Sequence, residues 1–165
     1  MELLHLYISP GHNYFGHNGR PPGNNPVLEL DELHCLAGRG LEGDRFLDYK
    51  ENYKGQITFF AEEVYQALCG QFDIRDKPPS VFRRNVITRG IDLNSLIGLE
   101  FEVQGVKFFG VEECKACYWM DQAFHPGTEQ ALAGRGGLRA RILTDGILRP
   151  TRKVAEVANP ELCLH

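Results

Sequence analysis

The feature that most constrains this chain is a short apolar run that ends in two cysteines. Residues 106–111 are almost uniformly apolar, which predicts a buried β-strand, and Glu112 and Glu113 follow it. Cys114 and Cys117 come directly afterwards, with Lys115 between them. A thiol at the end of a buried strand is held by the core and is still open to a ligand. The pair is therefore the first candidate for chemistry.

The chemistry of this cysteine pair is left open by the sequence. A structural zinc site needs four soft ligands, and the chain has no second Cys-x-x-Cys or His-x-x-x-His motif, so no zinc is expected. A thioredoxin-like redox pair opens a helix directly after a strand, but residues 118–120 begin no clear helical stripe. Lys115 favours a thiolate at either cysteine. Cofactor ligation, redox chemistry and simple burial as small hydrophobic residues all remain possible.

Length and composition indicate one domain spanning residues 1–165. A hydrophobic content of 42% and a charged content of 24% are ordinary for a soluble globular protein. The net charge of −4 argues against nucleic-acid binding, which usually needs a basic face. Five irregularly spaced cysteines do not form a secreted disulfide framework, and the first residues resemble neither a signal peptide nor a membrane span. We expect a reduced, cytoplasmic protein that does not bind membranes.

Alternating apolar positions and turn residues predict about seven strands and two or three helices. Predicted strands cover residues 2–8, 27–33, 81–93, 99–103, 106–111, 138–143 and 153–157, and a long loop covers residues 10–26. Residues 56–70 are expected to begin as a short strand and become a helix, with Thr58 as N-cap and Gly70 at its end, and a second, short helix is expected at residues 129–133. The expected fold is a predominantly β, α+β domain whose strands close into a barrel, because closure removes exposed edges.

Two polar segments interrupt this pattern. Glycines at residues 38–43 permit close approach of backbone amides to a ligand, although no P-loop ending follows, and the next residues, Asp44 and Arg45, fit a surface ion pair equally well. Arg83, Arg84 and Asn85 break an apolar run, which indicates that a polar group points inward or into a cleft. A guanidinium suits phosphate or carboxylate, while a solvated edge strand is the alternative.

Four segments, in this order, resemble the MOSC family, which is named after the C-terminal domain of molybdenum cofactor sulfurases. They are residues 40–45 (GLEGDR), 56–58 (QIT), 83–94 (RRNVITRGIDLN) and 114–117 (CKAC). The resemblance covers about residues 1–148. It implies a β-rich closed barrel of the pyruvate-kinase type with flanking helices, in agreement with the strand count.

The resemblance also implies a function. Members with a known activity bind the molybdenum cofactor, a pterin dithiolene with a phosphate tail, and reduce N-hydroxylated bases and related compounds. A cysteine thiolate ligates molybdenum in these members, and Cys117 matches it by position, as both metal ligand and catalytic residue. A soft thiolate suits a metal already held by dithiolene sulfur. Cys114 would be a neighbour that tunes or protects the ligand.

Five further residues match the family's cofactor pocket. Arg83 is the expected donor to pterin or phosphate, and Asn85 is the expected hydrogen-bonding clamp. Thr58 could add a hydroxyl and a backbone amide. Asp44 and Arg45 occupy a Gly-Asp-Arg turn that would shape the pocket floor, with a purely structural salt bridge as the alternative.

The resemblance has two departures that bear on mechanism. Ala116 stands where many members have proline before the ligating cysteine. The chain also carries no flavin, haem or iron–sulfur motif, so reduction of a small N-hydroxylated substrate requires a separate electron-donor protein. The alternative function is a carrier, independent of pyridoxal phosphate, that holds a persulfide or the cofactor and is served by a cysteine desulfurase or a cofactor-biosynthesis protein. A third possibility is a barrel that binds some other anion.

Overall fold

The computed structural model describes residues 1–151, in which ten strands form two sheets and three α-helices lie beside them. The strands are β1 (Glu2–Ile8), β2 (Leu28–Glu29), β3 (Leu33–Leu36), β4 (Gly40–Leu41), β5 (Ile57–Ala61), β6 (Val86–Arg89), β7 (Glu100–Val103), β8 (Val106–Glu113), β9 (Leu138–Ile142) and β10 (Gly146–Leu148). The helices are α1 (Glu62–Phe72), α2 (Trp119–Ala123) and α3 (Thr128–Ala131), and two 3-10 turns cover Pro79–Phe82 and Leu93–Leu96. The predicted strand at residues 153–157 lies outside the described residues.

The larger sheet has the strand order β2-β1-β6-β5-β9-β8-β7, and β5 and β6 are its parallel pair. The predicted hairpin at its far end is confirmed, because Val103 pairs with Val106 across the β7–β8 turn. Gln104 and Gly105 in that turn have φ angles of 51° and 83°. Two left-handed residues in a two-residue turn match the right-handed twist of the strands.

The main core lies between the larger sheet and a three-stranded sheet of order β10-β3-β4. Leu33 and Cys35 of β3 point inward, while His34 between them is partly exposed, as expected for alternating strand positions. The inward residues pack with buried side chains from β5, β8 and β9, including Phe59 and Phe108. The smaller sheet therefore covers one face of the larger one.

Helices cover the opposite face of the larger sheet. Leu68 of α1, Phe82 of the first 3-10 turn and Phe124 after α2 pack with Phe60 and Ile87 from the central strands. The centroids of the Phe60 and Phe82 rings are 4.9 Å apart, as are those of Phe82 and Phe124. Both faces of the central strands are therefore buried, and the apolar runs of β5 and β6 follow from this.

The expectation of a closed β-barrel is wrong. The larger sheet ends at β2 and β7, which do not pair with each other, so neither sheet of the described chain closes. Closure is not needed to protect these edges, because β2 has only two residues and β7 carries the exposed carboxylates Glu100 and Glu102. Short and charged edge strands resist further pairing. The α+β class, rich in strands, is retained.

Two predicted boundaries of the first helix are also wrong. Thr58 lies inside β5, where it pairs with Arg139, and Ala61 precedes the helix without a side-chain cap. Strand pairing on both sides of β5 keeps the chain extended as far as Ala61. Gly70 lies within α1, which ends at Asp73 in the left-handed conformation, with φ of 52°. Asp tolerates this conformation better than most residues with a side chain.

The predicted strands at residues 27–33 and 81–93 are each divided. The first becomes β2 and the start of β3, and Leu28, expected to face inward, is 42% exposed. In the second, a 3-10 turn precedes β6, and Arg83 between them has φ of 56°. This left-handed residue interrupts an extended chain, and the predicted strand therefore begins only at Val86. None of the helices described is long and apolar enough to cross a membrane.

Gly110 provides a test of the β8 packing. A Cβ added there would overlap the carbonyl oxygen of Leu96, whose segment forms a parallel bridge with β8 at Ile97. We expect Gly110→Ala to lower the free energy of unfolding by about 1–3 kcal/mol, the usual cost of overpacking.

Gly70→Ala is the matched control for this substitution. A Cβ at Gly70 meets nothing within 4 Å, and the residue lies within α1. Alanine should leave stability unchanged or raise it by about 0.5–1 kcal/mol. Urea denaturation of both variants measures the difference, and equal stability of the two would contradict the proposed overlap.

Candidate functional site

The two cysteines lie at a cleft formed by two adjoining cavities. The first, here called the thiol cavity, has a volume of about 150 Å³ and is lined by Cys117. The second, the arginine cavity, has a volume of about 120 Å³ and is lined by Cys114. The two cavities share the lining residues Arg45, Phe46, Arg83 and Arg84.

Cys114 and Cys117 differ in exposure. Cys114 is 4% exposed at the end of β8, where its N–H donates to the carbonyl of Gly137 at 2.8 Å. Cys117 is exposed. Helix α2 begins two residues later at Trp119, so the expectation of no helix after the pair is wrong, although α2 has only five residues. Residues 114–118, between β8 and α2, are here called the cysteine loop. The strand, the Cys114 hydrogen bond and the helix together fix its two ends.

Lys115 does not line either part of the cleft. It lines a separate cavity of about 420 Å³ together with Lys54, Glu112, Glu113 and Arg139. The cations that line the cavities of the two thiols are arginines instead. The expected activation of a thiol by Lys115 therefore gains no support from this placement.

Arg83 is a buried cation without a carboxylate partner among residues 1–151. It is 9% exposed, and its Nη2 donates to the Ser9 hydroxyl and to the carbonyl of Gly11 at 2.7 Å. Its Nη1 makes a longer contact of 3.4 Å to the carbonyl of Asn25. The prediction that a polar group in this segment points inward is confirmed, and the alternative of a solvated edge strand is wrong, because β6 lies between β1 and β5.

Arg84 also uses its guanidinium on main-chain carbonyls. Nη2 donates to Cys114 at 3.0 Å, Nε to Gly136 at 3.2 Å and Nη1 to Phe82 at 3.3 Å. These bonds connect the segment before β6 to the cysteine loop and to the glycines before β9. Arg84 was not singled out as a site residue by the sequence analysis, although it lies within the Arg-Arg-Asn motif.

Asn85 holds two strands together at the floor of the cleft. Its Oδ1 accepts from the N–H of Thr58 at 2.9 Å and from the Thr58 hydroxyl at 3.0 Å, while its Nδ2 donates to the Tyr7 carbonyl at 3.1 Å. The N–H of Asn85 in turn donates to the Thr58 hydroxyl. Both predicted residues therefore line the cleft, and their polar atoms bind each other and β1.

Asp44 and Arg45 form the predicted Gly-Asp-Arg turn. The Asp44 carboxylate is buried, accepts from the N–H groups of Ser9 at 3.0 Å and Phe46 at 3.1 Å, and lies 3.3 Å from Arg45 Nη1. Arg45 lines both cavities and its guanidinium lies over the Phe46 ring, 4.7 Å from the centroid. Asp44 does not line the cleft. It holds the turn that places Arg45 there.

Residues 10–26, here called the cleft loop, form one wall of the thiol cavity. Tyr14 packs on Trp119 with ring centroids 5.0 Å apart, and Asn18 Oδ1 accepts a hydrogen bond of 2.6 Å from the Tyr118 hydroxyl. His12 from this loop lines the cavity beside Cys117, and its ring centroid lies 5.0 Å from that of Phe46. The sequence predicts the loop but does not place it against the cysteines.

The cleft is electropositive. Burial, followed by repulsion from Arg45, lowers the pKa of Arg83 to about 10, and burial also lowers the pKa of Arg45. Burial lowers the pKa of Arg139, but the nearby Cys114, Tyr53 and Glu112 raise it more, so the net change is upward. Burial and Arg45 lower the pKa of His12, which favours the neutral imidazole near neutral pH. All three guanidinium groups keep their charge at neutral pH, so an anion in the cleft would be stabilised.

The structure brings most of the predicted site residues together. Cys114, Arg45, Arg83, Thr58 and Asn85 line the arginine cavity, and Cys117 lines the adjoining one. The last part of the 83–94 motif is elsewhere: Gly90, Asp92 and Asn94 line a cavity of about 430 Å³ that contains neither thiol. Within the described part of the chain, no group of three or more His, Cys, Asp or Glu side chains is positioned to hold a metal ion.

Solved structures with this fold are known. YuaD from Bacillus subtilis superimposes with a TM-score of 0.69 at 17% identity, covering 90% of this chain and 91% of that one. YiiM from Escherichia coli gives a TM-score of 0.62 at 17% identity, covering 93% and 71% of the two chains. YiiM from Geobacillus stearothermophilus gives 0.65 at 11% identity, with coverage of 90% and 71%. At these identities the similarity shows the fold alone.

The sequence match defines the family. The MOSC domain model matches residues 40–155, which is more than half of the chain. The chain therefore belongs to the MOSC domain family, as the motifs in the sequence predicted. A comparison with curated proteins gives no match.

Asp44 supplies a prediction about the cleft turn. In Asp44→Asn the side-chain amide cannot accept at both positions, so one of the N–H groups of Ser9 and Phe46 loses its partner. We expect a loss of roughly 1–3 kcal/mol in the free energy of unfolding, measured by urea denaturation.

Asp48→Asn is the control for the same chemical change at the surface. Asp48 pairs with Arg39 at 2.6 Å, and both side chains are more than half exposed. Exposed pairs contribute little, so a loss below about 1 kcal/mol is expected there. If the two variants lose equal stability, Asp44 does not hold the turn in the way described.

Proposed function

We propose that this MOSC domain binds the molybdenum cofactor in the cleft and reduces N-hydroxylated compounds, with Cys117 as the protein ligand of molybdenum. The observation that carries the proposal is the juxtaposition of an exposed thiol with buried guanidinium groups. Arg83 has no carboxylate partner among the described residues, and it lines both cavities of the cleft. The family association with molybdenum cofactor biology supports the same assignment.

The side chains that line the cleft fit the molybdenum cofactor. A buried cation that bonds only to neutral oxygens gains free energy when an anion replaces them, and the cofactor carries a phosphate. A cysteine thiolate is the soft ligand that suits a metal bound by dithiolene sulfur. When bound, the cofactor supplies a two-electron redox centre for cleavage of an N–O bond.

The residues of the cleft have separate roles in this proposal. Arg45 and Arg83 bind the anionic part of the cofactor, and Cys117 supplies the metal ligand. Asn85 and Thr58 keep the floor in place through bonds to each other and to β1. Phe46 and Trp119 limit water in the thiol cavity. The overall conversion of a hydroxylamine to an amine and water takes two electrons and two protons, which a separate donor must supply.

Cys117→Ala tests the assignment. Protein is purified from a host that loads a known molybdenum enzyme in the same cells, and molybdenum and oxidised pterin are measured per chain. We expect molybdenum near stoichiometry in the wild type, a loss of at least about tenfold in Cys117→Ala, and partial retention of pterin by the arginines. Reduction of an N-hydroxylated purine with a chemical electron donor should fall by at least the same factor.

Cys69→Ala serves as the control, because Cys69 lies in α1 and does not line the cleft. This variant should keep the metal and the activity of the wild type. Equal molybdenum content in Cys117→Ala and Cys69→Ala would sink the ligand assignment. Absence of both molybdenum and pterin from wild-type protein, while the enzyme in the same cells is loaded, would sink cofactor binding.

A sulfur or cofactor carrier is the second candidate. The exposure of Cys117 favours it, because an exposed thiol can be reached by a partner protein. Transfer of sulfane sulfur from a desulfurase persulfide would leave a persulfide on Cys117 and a thiolate on the donor. Mass spectrometry of Cys117 after incubation with a cysteine desulfurase and cysteine tests this function, and unmodified Cys117 would exclude it.

A further inference from the structure

Arg83 contacts the cleft loop at both of its ends. Its donors bind the carbonyls of Gly11 and Asn25, and they also bind the Ser9 hydroxyl, which itself donates to Gly11 and Pro26. A single guanidinium therefore attaches the two ends of the loop to the body of the protein.

Hydrogen bonds within the cleft loop brace its two sides against each other. Asn13 Oδ1 accepts from the N–H of Asn25 at 2.7 Å, and Asn13 Nδ2 donates to the Asn25 carbonyl at 3.0 Å. The N–H of Gly23 donates to the Asn13 carbonyl at 2.8 Å. These bonds join the two sides of the loop to each other and do not involve Arg83.

The cleft loop and an anion compete for the same N–H groups of Arg83, because of the geometry of its guanidinium. A two-pronged bond to an oxyanion uses either Nε with Nη2 or Nη1 with Nη2, so Nη2 takes part in both. In Arg83 both Nη2 protons are directed to Ser9 and Gly11. A phosphate that binds Arg83 with two prongs must therefore displace at least one of these contacts.

Two more observations agree with such an opening. Even taken together, the two cavities of about 150 and 120 Å³ stay below the roughly 300 Å³ at which small-molecule sites usually begin. Arg83 also has φ of 56°, a left-handed conformation that is unfavourable for a residue with a side chain. Strained residues of this kind concentrate at ligand clamps and switch regions.

We propose that Arg83 is a latch that holds the cleft loop closed and releases it when a phosphate-type dianion takes the guanidinium. The inference rests on anion binding in the cleft, which is part of the proposed function. Arg83 is thus a positioning residue for the loop as well as a binding residue for the anion. Since the loop supplies His12 and Tyr14 to the thiol cavity, its release also enlarges the space around Cys117.

Trp119 reports the opening directly. It is the one tryptophan of the sequence, it is 7% exposed, and it packs on Tyr14 of the cleft loop. In cofactor-free wild-type protein, added inorganic phosphate should shift its emission to longer wavelength in a saturable way, at constant ionic strength set with chloride. Amide hydrogen exchange of residues 10–26 should accelerate at least about fivefold. Phenyl phosphate, titrated separately, distinguishes a monoester site from a site for the free ion by which of the two binds more tightly.

Matched variants separate a latch from a passive anion site. Arg83→Met should show the red-shifted emission without phosphate and no further shift with it. Arg89→Met removes a guanidinium on β6 that lines neither cavity of the cleft, so its emission without phosphate should equal that of the wild type. Circular dichroism and urea denaturation establish that both variants are folded.

A further variant leaves Arg83 intact and tests the thermodynamic coupling between loop closure and phosphate binding. Asn18→Ala removes the hydrogen bond between the cleft loop and Tyr118, a contact in which Arg83 takes no part. Because loop closure and anion binding compete, this variant should bind phosphate at least about fivefold more tightly than the wild type. If Arg83 had only a structural role, the phosphate affinity of Asn18→Ala would equal that of the wild type.

Four outcomes would overturn the latch, and three of them arise where phosphate binds: an absence of emission shift while calorimetry shows binding, an Arg83→Met protein with wild-type emission, or unchanged phosphate affinity in Asn18→Ala. None of them bears on molybdenum loading, which the Cys117→Ala comparison decides. Absence of phosphate binding also overturns the latch, and the pterin content of wild-type protein then shows separately whether the cofactor is bound.

Discussion

The cleft depends on the hydrogen bonds between Asn85, Thr58 and Tyr7. Asn85 lies just before β6, Thr58 is in β5 and Tyr7 is in β1, so one amide side chain joins β1 and β5 beside the start of β6. Buried polar groups must be paired, and here each partner satisfies another. The residues next to Asn85 are thereby held at the end of β6 that borders the cleft. Arg83 and Arg84 reach the cleft loop and the cysteine loop from this fixed position.

A cluster of buried and partly buried guanidinium groups, here Arg83 with Arg45 and Arg84, is costly unless charge compensates it. Asp44 is the carboxylate that pairs with Arg45, whereas Arg83 and Arg84 bond to carbonyl and hydroxyl oxygens. Neutral acceptors satisfy the N–H groups but leave the positive charge unbalanced. This imbalance explains why burial and mutual repulsion lower the pKa of Arg83. It also explains why the cleft suits an anion.

Much of the fold was predictable from local patterns. The β7–β8 hairpin follows from alternating residues around Gln104 and Gly105, and β1, β8 and β9 follow from their apolar positions. Sheet closure was not predictable, because it depends on which strands lie at the edges and not on the strands themselves. The division of the predicted strand at residues 81–93 was not predictable, because it comes from the left-handed backbone conformation of Arg83. Residues other than glycine rarely adopt this conformation, so the residue type gives no sign of it.

The sequence by itself determined the family and the identity of most residues at the cleft, since motif order and residue type are written in the chain. The sequence motifs single out Cys114, Cys117, Arg83, Asn85 and Thr58, and these residues meet around one pair of cavities. Only the tertiary structure decided that Cys117 is the exposed thiol, that Lys115 lines another cavity, and that Arg84 and the cleft loop complete the site. The reason is physical: the hydrogen-bond partners of these groups lie in distant parts of the chain, and only the packing of sheet, helices and loops brings them together.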